Sequence, residues 1–286
     1  MIIGHSGLPL IIHDFIYSFH MPFFFIISGA LYKGQYGLRD YFKNKIKKLL
    51  IPFFLYGIVN VVLRSVYYDE SIWTYIFRHS FSGCESALWF LPILFLGSII
   101  NHLVYNNRFL PLLFLLTMAL SSLMSLNNIC FPWSLSTLPL SITFVFIGRY
   151  YSDFINRLIN DNNLKLVPAT AVTIIIIFVI SHFYTLECKD NTLTEPIAIL
   201  VVTAIIGTFL LFCISKLINK FQNVSRILSY IGKNTMLIVG LSQIILKYEN
   251  LVISQFALIK YIILFIALIA LIYLKNKVFL FKQLNL

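Results

Sequence analysis

Residues 164–184 read LKLVPATAVTIIIIFVISHFY, and after Lys165 the stretch carries no Asp, Glu, Lys or Arg. A helix needs about 20 mostly apolar residues to cross the hydrocarbon core of a bilayer, so this stretch is long enough to span a membrane. Further stretches of the same character precede and follow it. The predicted spans are 11–32, 49–66, 87–104, 109–124, 135–150, 164–184, 194–214, 234–246 and 256–274. The sequence therefore predicts an all-α, multi-pass transmembrane helix bundle.

The composition agrees with this prediction. Of the 286 residues, 59% are hydrophobic and 12% are charged, whereas soluble domains contain roughly 25% charged residues. Nine spans and their loops use the whole length, so residues 1–286 form a single integral-membrane domain. The net charge of +11 would suggest nucleic acid in a soluble protein, but in a membrane protein Lys and Arg first mark the cytoplasmic loops. We therefore expect membrane lipids, and no nucleic acid, as partners.

The distribution of basic residues predicts an orientation. The segment 33–48 contains Lys33, Arg39, Lys43, Lys45, Lys47 and Lys48 against Asp40 alone, which places it in the cytoplasm. Alternation of the remaining loops then puts most of the 22 basic residues on that same side, and most of the 11 acidic residues on the other. The C-terminus is predicted to be cytoplasmic.

The first ten residues need a separate interpretation. Nine crossings with a cytoplasmic C-terminus place Met1 outside or within the membrane, and residues 1–10 are too short to cross it. The stretch also lacks the basic start and the long apolar region of a signal peptide. We expect it to be the end of a helix whose beginning is missing, which gives about nine complete helices plus an N-terminal partial helix.

Two histidines occupy positions that call for an explanation. His20 lies within the first span among apolar residues, and Pro22 predicts a kink beside it. His5 lies in GHSG, where glycines permit close approach of another backbone or a substrate. Both lie toward the outer half of the membrane. A neutral imidazole there acts either as a general base toward a hydroxyl or as a packing residue bonded to a neighbouring helix. His102 and His182 stand near span ends, where a polar side chain reaches water easily.

Other chemistry finds little support in the sequence. The six His and four Cys show no CxxC or HExxH spacing, so no metal site is expected. No phosphate-binding GxxxxGK[ST] loop and no GxSxG turn are present. The basic segment admits two interpretations: it anchors the protein to anionic lipid headgroups, or Lys45, Lys47 and Lys48 hold a phosphorylated cytosolic cofactor.

Four stretches of the chain resemble a known family. They are IYSFHMPFFFIISGALYKG (16–34), FKNKIKKLLIPFFLYG (42–57), ALWFLPILFLGSII (87–100) and YIGKNTMLIVGLS (230–242). In this order they are similar to the acyltransferase 3 family of integral-membrane acyltransferases, and in particular to its bacterial sugar O-acetyltransferases of the fucose 4-O-acetylase type. The FHMPFFF-x-x-SG run is the most specific of them.

The resemblance implies an enzyme of the plasma membrane, the bacterial inner membrane, that transfers acetyl from cytosolic acetyl-CoA. The acceptor would be a hydroxyl of a cell-surface glycan or a lipid-linked saccharide. By position, the family's histidines correspond to His5 and His20, which we expect to be catalytic. The basic residues linked to CoA correspond to Lys45, Lys47 and Lys48. Lysines stand here where arginines are usual, so bidentate phosphate contacts are lost.

The remaining expectations concern the substrate and the departures from the family. Trp89 matches a family tryptophan with a structural or substrate-stacking role. Asp14 or Glu85 is expected at the substrate side, where a carboxylate fixes the tautomer of a catalytic imidazole. Ser242 and Gln243 stand where many members carry a His, and the family's first-helix Arg is absent. A flippase for a lipid-linked saccharide and an inactive truncated acyltransferase are the alternatives. The sequence indicates no oligomeric state.

Overall fold

The computed structural model describes residues 9–32, 34, 37–68, 71, 73, 87–104, 110–160, 166–184, 196–252, 264 and 266–272, and no strand occurs among them. The helices are α1 Leu10–Tyr17, α2 His20–Ala30, α3 Leu38–Lys45, α4 Ile51–Tyr68, α5 Phe90–Leu103, α6 Leu110–Leu126, α7 Leu138–Tyr150, α8 Ser152–Asn160, α9 Leu166–Phe183, α10 Ile197–Asn219, α11 Gln222–Lys233 and α12 Thr235–Val252. A π-helical turn, Ile46–Leu50, joins α3 to α4, and 3₁₀ turns Ala87–Trp89 and Pro132–Thr137 precede α5 and α7. Residues 266–272 are also helical.

Every predicted span contains a helix, so the prediction of an all-α membrane protein is confirmed. Among the described residues, three helical stretches are long and apolar enough to cross a membrane: Leu10–Ala30, Leu166–Phe183 and Ile197–Asn219. The span predicted at 234–246 is longer in the structure, because α12 continues to Val252. The total of nine crossings and the cytoplasmic C-terminus stay predictions. Of residues 1–10, which the sequence assigns to the partial N-terminal helix, residues 1–8 lie outside the described residues.

Three helices lie where the sequence suggested loops between spans. They are α3, α8 and α11, each of 8 to 12 residues. In α11, the apolar residues Val224, Ile227 and Leu228 have the spacing of one helix face and are exposed. Arg226 and Lys233 are exposed as well, and no side chain of this helix is buried. A helix with one apolar and one charged face lies stably at a membrane surface but is too short and too polar to cross. These helices leave the predicted spans unchanged.

The interior of the described bundle is built on α2, α5 and α7. Helix α2 packs closely along α7, and α5 packs on α7 and also contacts α2. Phe25, Leu91, Leu140 and Phe144 are completely buried at this centre. By contrast, α9 exposes most of its apolar side chains, as a helix on the lipid-facing side of a bundle does, because lipid tails are as apolar as the protein interior.

Small residues let the central helices approach closely. Gly29 of α2 lies against the backbone of Val145 in α7, and Gly148 of α7 lies against the backbone of Ile26 in α2. Glycine at such a crossing brings two helix backbones into direct contact. Nearer the start of α7, Ser141 donates a hydrogen bond to the carbonyl of Ile93 in α5. The C-terminal half of α2 is therefore held by closely packed neighbours.

Candidate functional site

A break between α1 and α2 places His20 inside the protein. Pro22 has no N–H and cannot donate the helical hydrogen bond to the carbonyl of Ser18. Accordingly α1 ends at Tyr17, Phe19 leaves helical geometry with φ −141°, and α2 begins at His20. The kink predicted at Pro22 is thus present. It leaves His20 at the first position of a helix, with 8% of the residue exposed.

A backbone carbonyl fixes the tautomer of His20. The Nδ1 atom lies 3.0 Å from the carbonyl oxygen of Ile16, which can only accept, so Nδ1 carries the proton and donates it. In the neutral ring, Nε2 then holds the lone pair. An imidazole fixed in this way is a hydrogen-bond acceptor and a base at Nε2.

Asp14 contacts a different histidine from the one expected. Its Oδ1 lies 3.0 Å from Nδ1 of His13, the neighbouring residue. The ring of His13 stacks on Tyr17, and the ring of Tyr17 meets His20 edge to face with centroids 4.7 Å apart. The tautomer of His20 is therefore set by Ile16 and not by Asp14, which reaches His20 only through His13 and Tyr17.

Lys45 is a half-buried cation held between three helices. Its Nζ donates to Ser28 Oγ of α2 and to Ser98 Oγ of α5, each at 3.3 Å, and lies 5.4 Å from the centre of the Tyr41 ring. Among the described residues, no carboxylate lies within 4.0 Å of it. Burial, and to a lesser degree the charge of Lys48, lowers the pKa of Lys45 to about 8. Within the described part of the chain, two hydroxyls and an aromatic ring surround this partly desolvated cation.

The three lysines expected to bind the donor do not share one environment. Lys47 and Lys48 lie in the π-helical turn and are exposed, whereas Lys45 points among the helices. A π-turn carries an extra residue and changes the direction in which successive side chains point, and such turns are frequent at functional sites. Lys45 is therefore the inner member of the group, and the other two stand at the surface around it.

An aromatic and cationic cluster adjoins Lys45. The Tyr32 hydroxyl lies 2.6 Å from Nδ1 of His102, and the His102 ring stacks on Tyr41 with centroids 4.4 Å apart. The Arg149 guanidinium lies over the Tyr32 ring at 4.3 Å and donates from Nη1 to the carbonyl of Asn101. We name Tyr32, Tyr41, Lys45, His102 and Arg149 the basic cluster. It places two cations among rings at the junction of α2, α3, α5 and α7.

The sequence alone does not single out most of the basic cluster. His102 and Arg149 stand at ends of predicted spans, where an ionisable side chain usually reaches water and needs no partner. The sequence offers one indication that these residues are neighbours. Tyr32, His102 and Arg149 all stand at span ends on the same predicted side of the membrane. The predicted topology therefore places them at one end of the bundle, but it does not predict that they are in contact.

His20 and the basic cluster lie at the two ends of α2. Ser28, which accepts the hydrogen bond from Lys45, is eight residues after His20 in one continuous helix. At 1.5 Å per residue, the two positions are about 12 Å apart along the helix axis. Helix α2 thus carries His20 at one end and, near its other end, the hydroxyl that contacts the half-buried Lys45 of α3.

The other expected residues lie outside this arrangement or outside the described residues. Trp89 is 8% exposed in the apolar core and meets Phe90 edge to face, which is the packing of a structural tryptophan. His5 and Glu85 lie outside the described residues. Within the part of the chain that the structure describes, no group of three or more His, Cys, Asp or Glu could hold a metal ion.

A family model described as an acyltransferase domain matches residues 1–277. No curated protein and no solved structure matches the chain. The family match includes the break at His20, the three lysines and the whole of the α2, α5 and α7 centre. Because the match covers almost the entire length, the chain belongs to the acyltransferase 3 family and is a membrane acyltransferase.

Proposed function

We propose that the protein transfers an acetyl group from acetyl-CoA to a hydroxyl of a cell-surface glycan or a lipid-linked saccharide. One observation carries the proposal: His20, with its base at Nε2, lies about 12 Å along the axis of α2 from Ser28, which accepts a hydrogen bond from Lys45. Among the described residues, no carboxylate lies within 4.0 Å of this half-buried cation. Acyl-CoA carries its phosphates at one end and its thioester at the other. The two ends of α2 suit these two ends of the donor.

The basic cluster supports binding of the donor's phosphates. Ammonium and guanidinium groups pair with phosphate oxygens, and both kinds of cation are present in Lys45 and Arg149. Lys47 and Lys48 are exposed beside them and attract anions from the solvent. A binding site must also be able to exchange its ligand. Ser28 and Ser98 suit this requirement, because a phosphate displaces a hydroxyl partner of Lys45 more easily than it would displace a paired carboxylate. The residues present therefore fit a phosphorylated donor.

In the proposed reaction, Nε2 of His20 accepts a hydrogen bond from the acceptor hydroxyl and orients it toward the thioester carbon. The hydroxyl oxygen forms the new ester bond, the carbon–sulfur bond breaks, and the proton of the hydroxyl ends on the departing thiol. A neutral imidazole with its proton on Nδ1 has no donor at Nε2, so His20 suits orientation and deprotonation better than polarisation of the carbonyl. His5 remains the proposed partner base, and an acyl-histidine relay remains the alternative to direct transfer.

The function is tested in a host whose own gene has been deleted. Acetate released by alkali from purified surface polysaccharide is measured with the gene restored and with an empty vector. We expect acetyl groups only when the gene is present. An unchanged acetyl content together with accumulated lipid-linked intermediates would instead identify a flippase and overturn the proposal.

Substitution of Lys45 tests the donor end. Lys45→Met is expected to raise KM for acetyl-CoA by about tenfold to a hundredfold, since a hydrogen bond to a charged group contributes about 1.5–3 kcal/mol. Lys45→Arg keeps the charge and is expected to lose less. The measurement is initial-rate kinetics in membranes, with exposed Lys43→Met as the matched control. An unchanged KM in Lys45→Met would remove Lys45 from donor binding.

The lowered pKa of Lys45 predicts how donor binding depends on pH. Because this pKa is about 8, the ammonium predominates at pH 7 and is mostly lost at pH 9. If the charged form binds the donor, KM for acetyl-CoA rises by roughly tenfold between these two pH values. Lys45→Arg stays charged throughout and is expected to show a nearly flat profile. Parallel profiles for the two proteins would contradict this assignment.

A further inference from the structure

Three aromatic rings form a continuous row along one face of the α1–α2 junction. His13 and Tyr17 stack with centroids 3.9 Å apart and planes inclined by 20°. Tyr17 and His20 follow at 4.7 Å and 70°. The spacing of four and then three residues is what brings side chains onto the same face of a helix. The row thus connects His13, through Tyr17, to the base of the proposed reaction.

The row becomes more deeply buried toward His20. The side chain of His13 is 34% exposed and that of Asp14 is 18% exposed, whereas His20 as a whole residue is 8% exposed. The neighbouring Leu10, Ile11 and Ile12 expose large apolar side chains, as residues that face lipid do. An ionisable pair on such a helix is costly next to lipid and is normally found facing water or a polar cavity. His13 and Asp14 therefore mark a polar approach to His20 beside a lipid-facing surface.

The approach lies at the end of α2 opposite to the basic cluster. From His20 the chain runs back through α1 to His13, and forward through α2 to Ser28, which accepts a hydrogen bond from Lys45. A donor that enters at Lys45 therefore leaves the side of His13 and Tyr17 unoccupied by its phosphates. The acceptor needs its own route to Nε2 of His20, and the row of rings supplies one.

We propose that His13, Asp14 and Tyr17 form the acceptor-binding site and that they take a saccharide ring bearing several hydroxyls; this inference rests on the proposed function. An aromatic surface packs against the apolar C–H face of a sugar ring, and a carboxylate accepts strong hydrogen bonds from its hydroxyls. The Asp14 carboxylate also holds His13 through its Nδ1, so that the stacked surface stays fixed. A few such polar groups on a largely apolar surface are what orient a ligand in a binding site.

The first test separates acceptor binding from donor binding. The acceptor is soluble oligosaccharide released from the host's surface polysaccharide and freed of acetyl by alkali. Tyr17→Ala and Asp14→Asn are expected to raise KM for this oligosaccharide by about tenfold or more while KM for acetyl-CoA stays unchanged. Ile12→Ala, exposed on the same helix, is the matched control. A raised KM for acetyl-CoA, or unchanged kinetics in both variants, would overturn the inference.

The second test does not depend on acetyl transfer. Diethyl pyrocarbonate modifies neutral imidazoles, and mass spectrometry of the peptide that contains His13 follows the rate of modification. We expect the oligosaccharide to slow modification of His13 several-fold in the wild-type protein and not in Tyr17→Ala, whereas coenzyme A leaves the rate unchanged. Protection by coenzyme A alone, or by neither compound, would refute the acceptor site. Protection by the oligosaccharide in a protein that transfers no acetyl would retain the site and reject the proposed function.

Discussion

Replacing His20 with Asn is expected to lower the rate of acetyl transfer by about 10²–10⁴-fold, the usual contribution of a general base. The Asn side-chain N–H₂ occupies the place of Nδ1 and keeps the hydrogen bond to Ile16, so the break between α1 and α2 is preserved. What disappears is the lone pair at Nε2. The measurement is transfer of labelled acetyl from acetyl-CoA to deacetylated polysaccharide in membranes that contain equal amounts of each protein.

A matched control for this prediction exists on α9. His182 is exposed, and its ring meets that of its neighbour Phe183 edge to face. His182→Asn is therefore expected to retain full activity at the same protein level. If His20→Asn also transfers acetyl at the wild-type rate, His20 serves packing, and the reaction must use another base.

The helices within the predicted spans could be predicted from the sequence, because each depends on local composition, whereas α3, α8 and α11 were not predicted. A bilayer requires an apolar run of fixed length, and 166–183 and 197–219 satisfy that requirement within their own residues. The break before His20 is local too, since Pro22 removes one backbone donor four residues after Ser18. Such features need no knowledge of which helices are neighbours.

The arrangement of the site could not be predicted in this way, because its contacts join distant parts of the chain. Lys45 meets Ser28 and Ser98, and Tyr32 meets His102 seventy positions later. These pairs depend on how α2, α5 and α7 pack, and on a π-helical turn that the amino-acid composition does not predict. The sequence accordingly groups Lys45, Lys47 and Lys48 as equals, whereas in the structure only Lys45 is half-buried and the other two are exposed.

Replacing Gly148 with Val is expected to disrupt the protein as a whole. A Cβ at position 148 collides with the backbone of Ile26, and one at Gly29 collides with the backbone of Val145. Backbone atoms of a helix cannot turn aside as the end of a flexible side chain can, so α2 and α7 must separate. Inserting volume into a packed core typically costs about 1–3 kcal/mol, and a backbone-to-backbone crossing has the least room to relax. We expect the detergent-solubilised variant to aggregate at a markedly lower temperature in size-exclusion chromatography.

The same crossing also decides whether the two ends of the site stay aligned. Gly29 follows Ser28 directly, so a shift of α2 that relieves the collision moves Ser28 away from Lys45 and changes the position of His20. Gly148→Val should thus lose activity together with folded protein, whereas His20→Asn loses activity alone. Gly57→Ala is the matched control, because a Cβ there meets nothing within 4 Å, and alanine favours a helix by up to about 1 kcal/mol over glycine. If Gly148→Val and Gly57→Ala proved equally stable, α2 and α7 would not be in backbone contact, and the alignment of His20 with Lys45 would lose its structural basis.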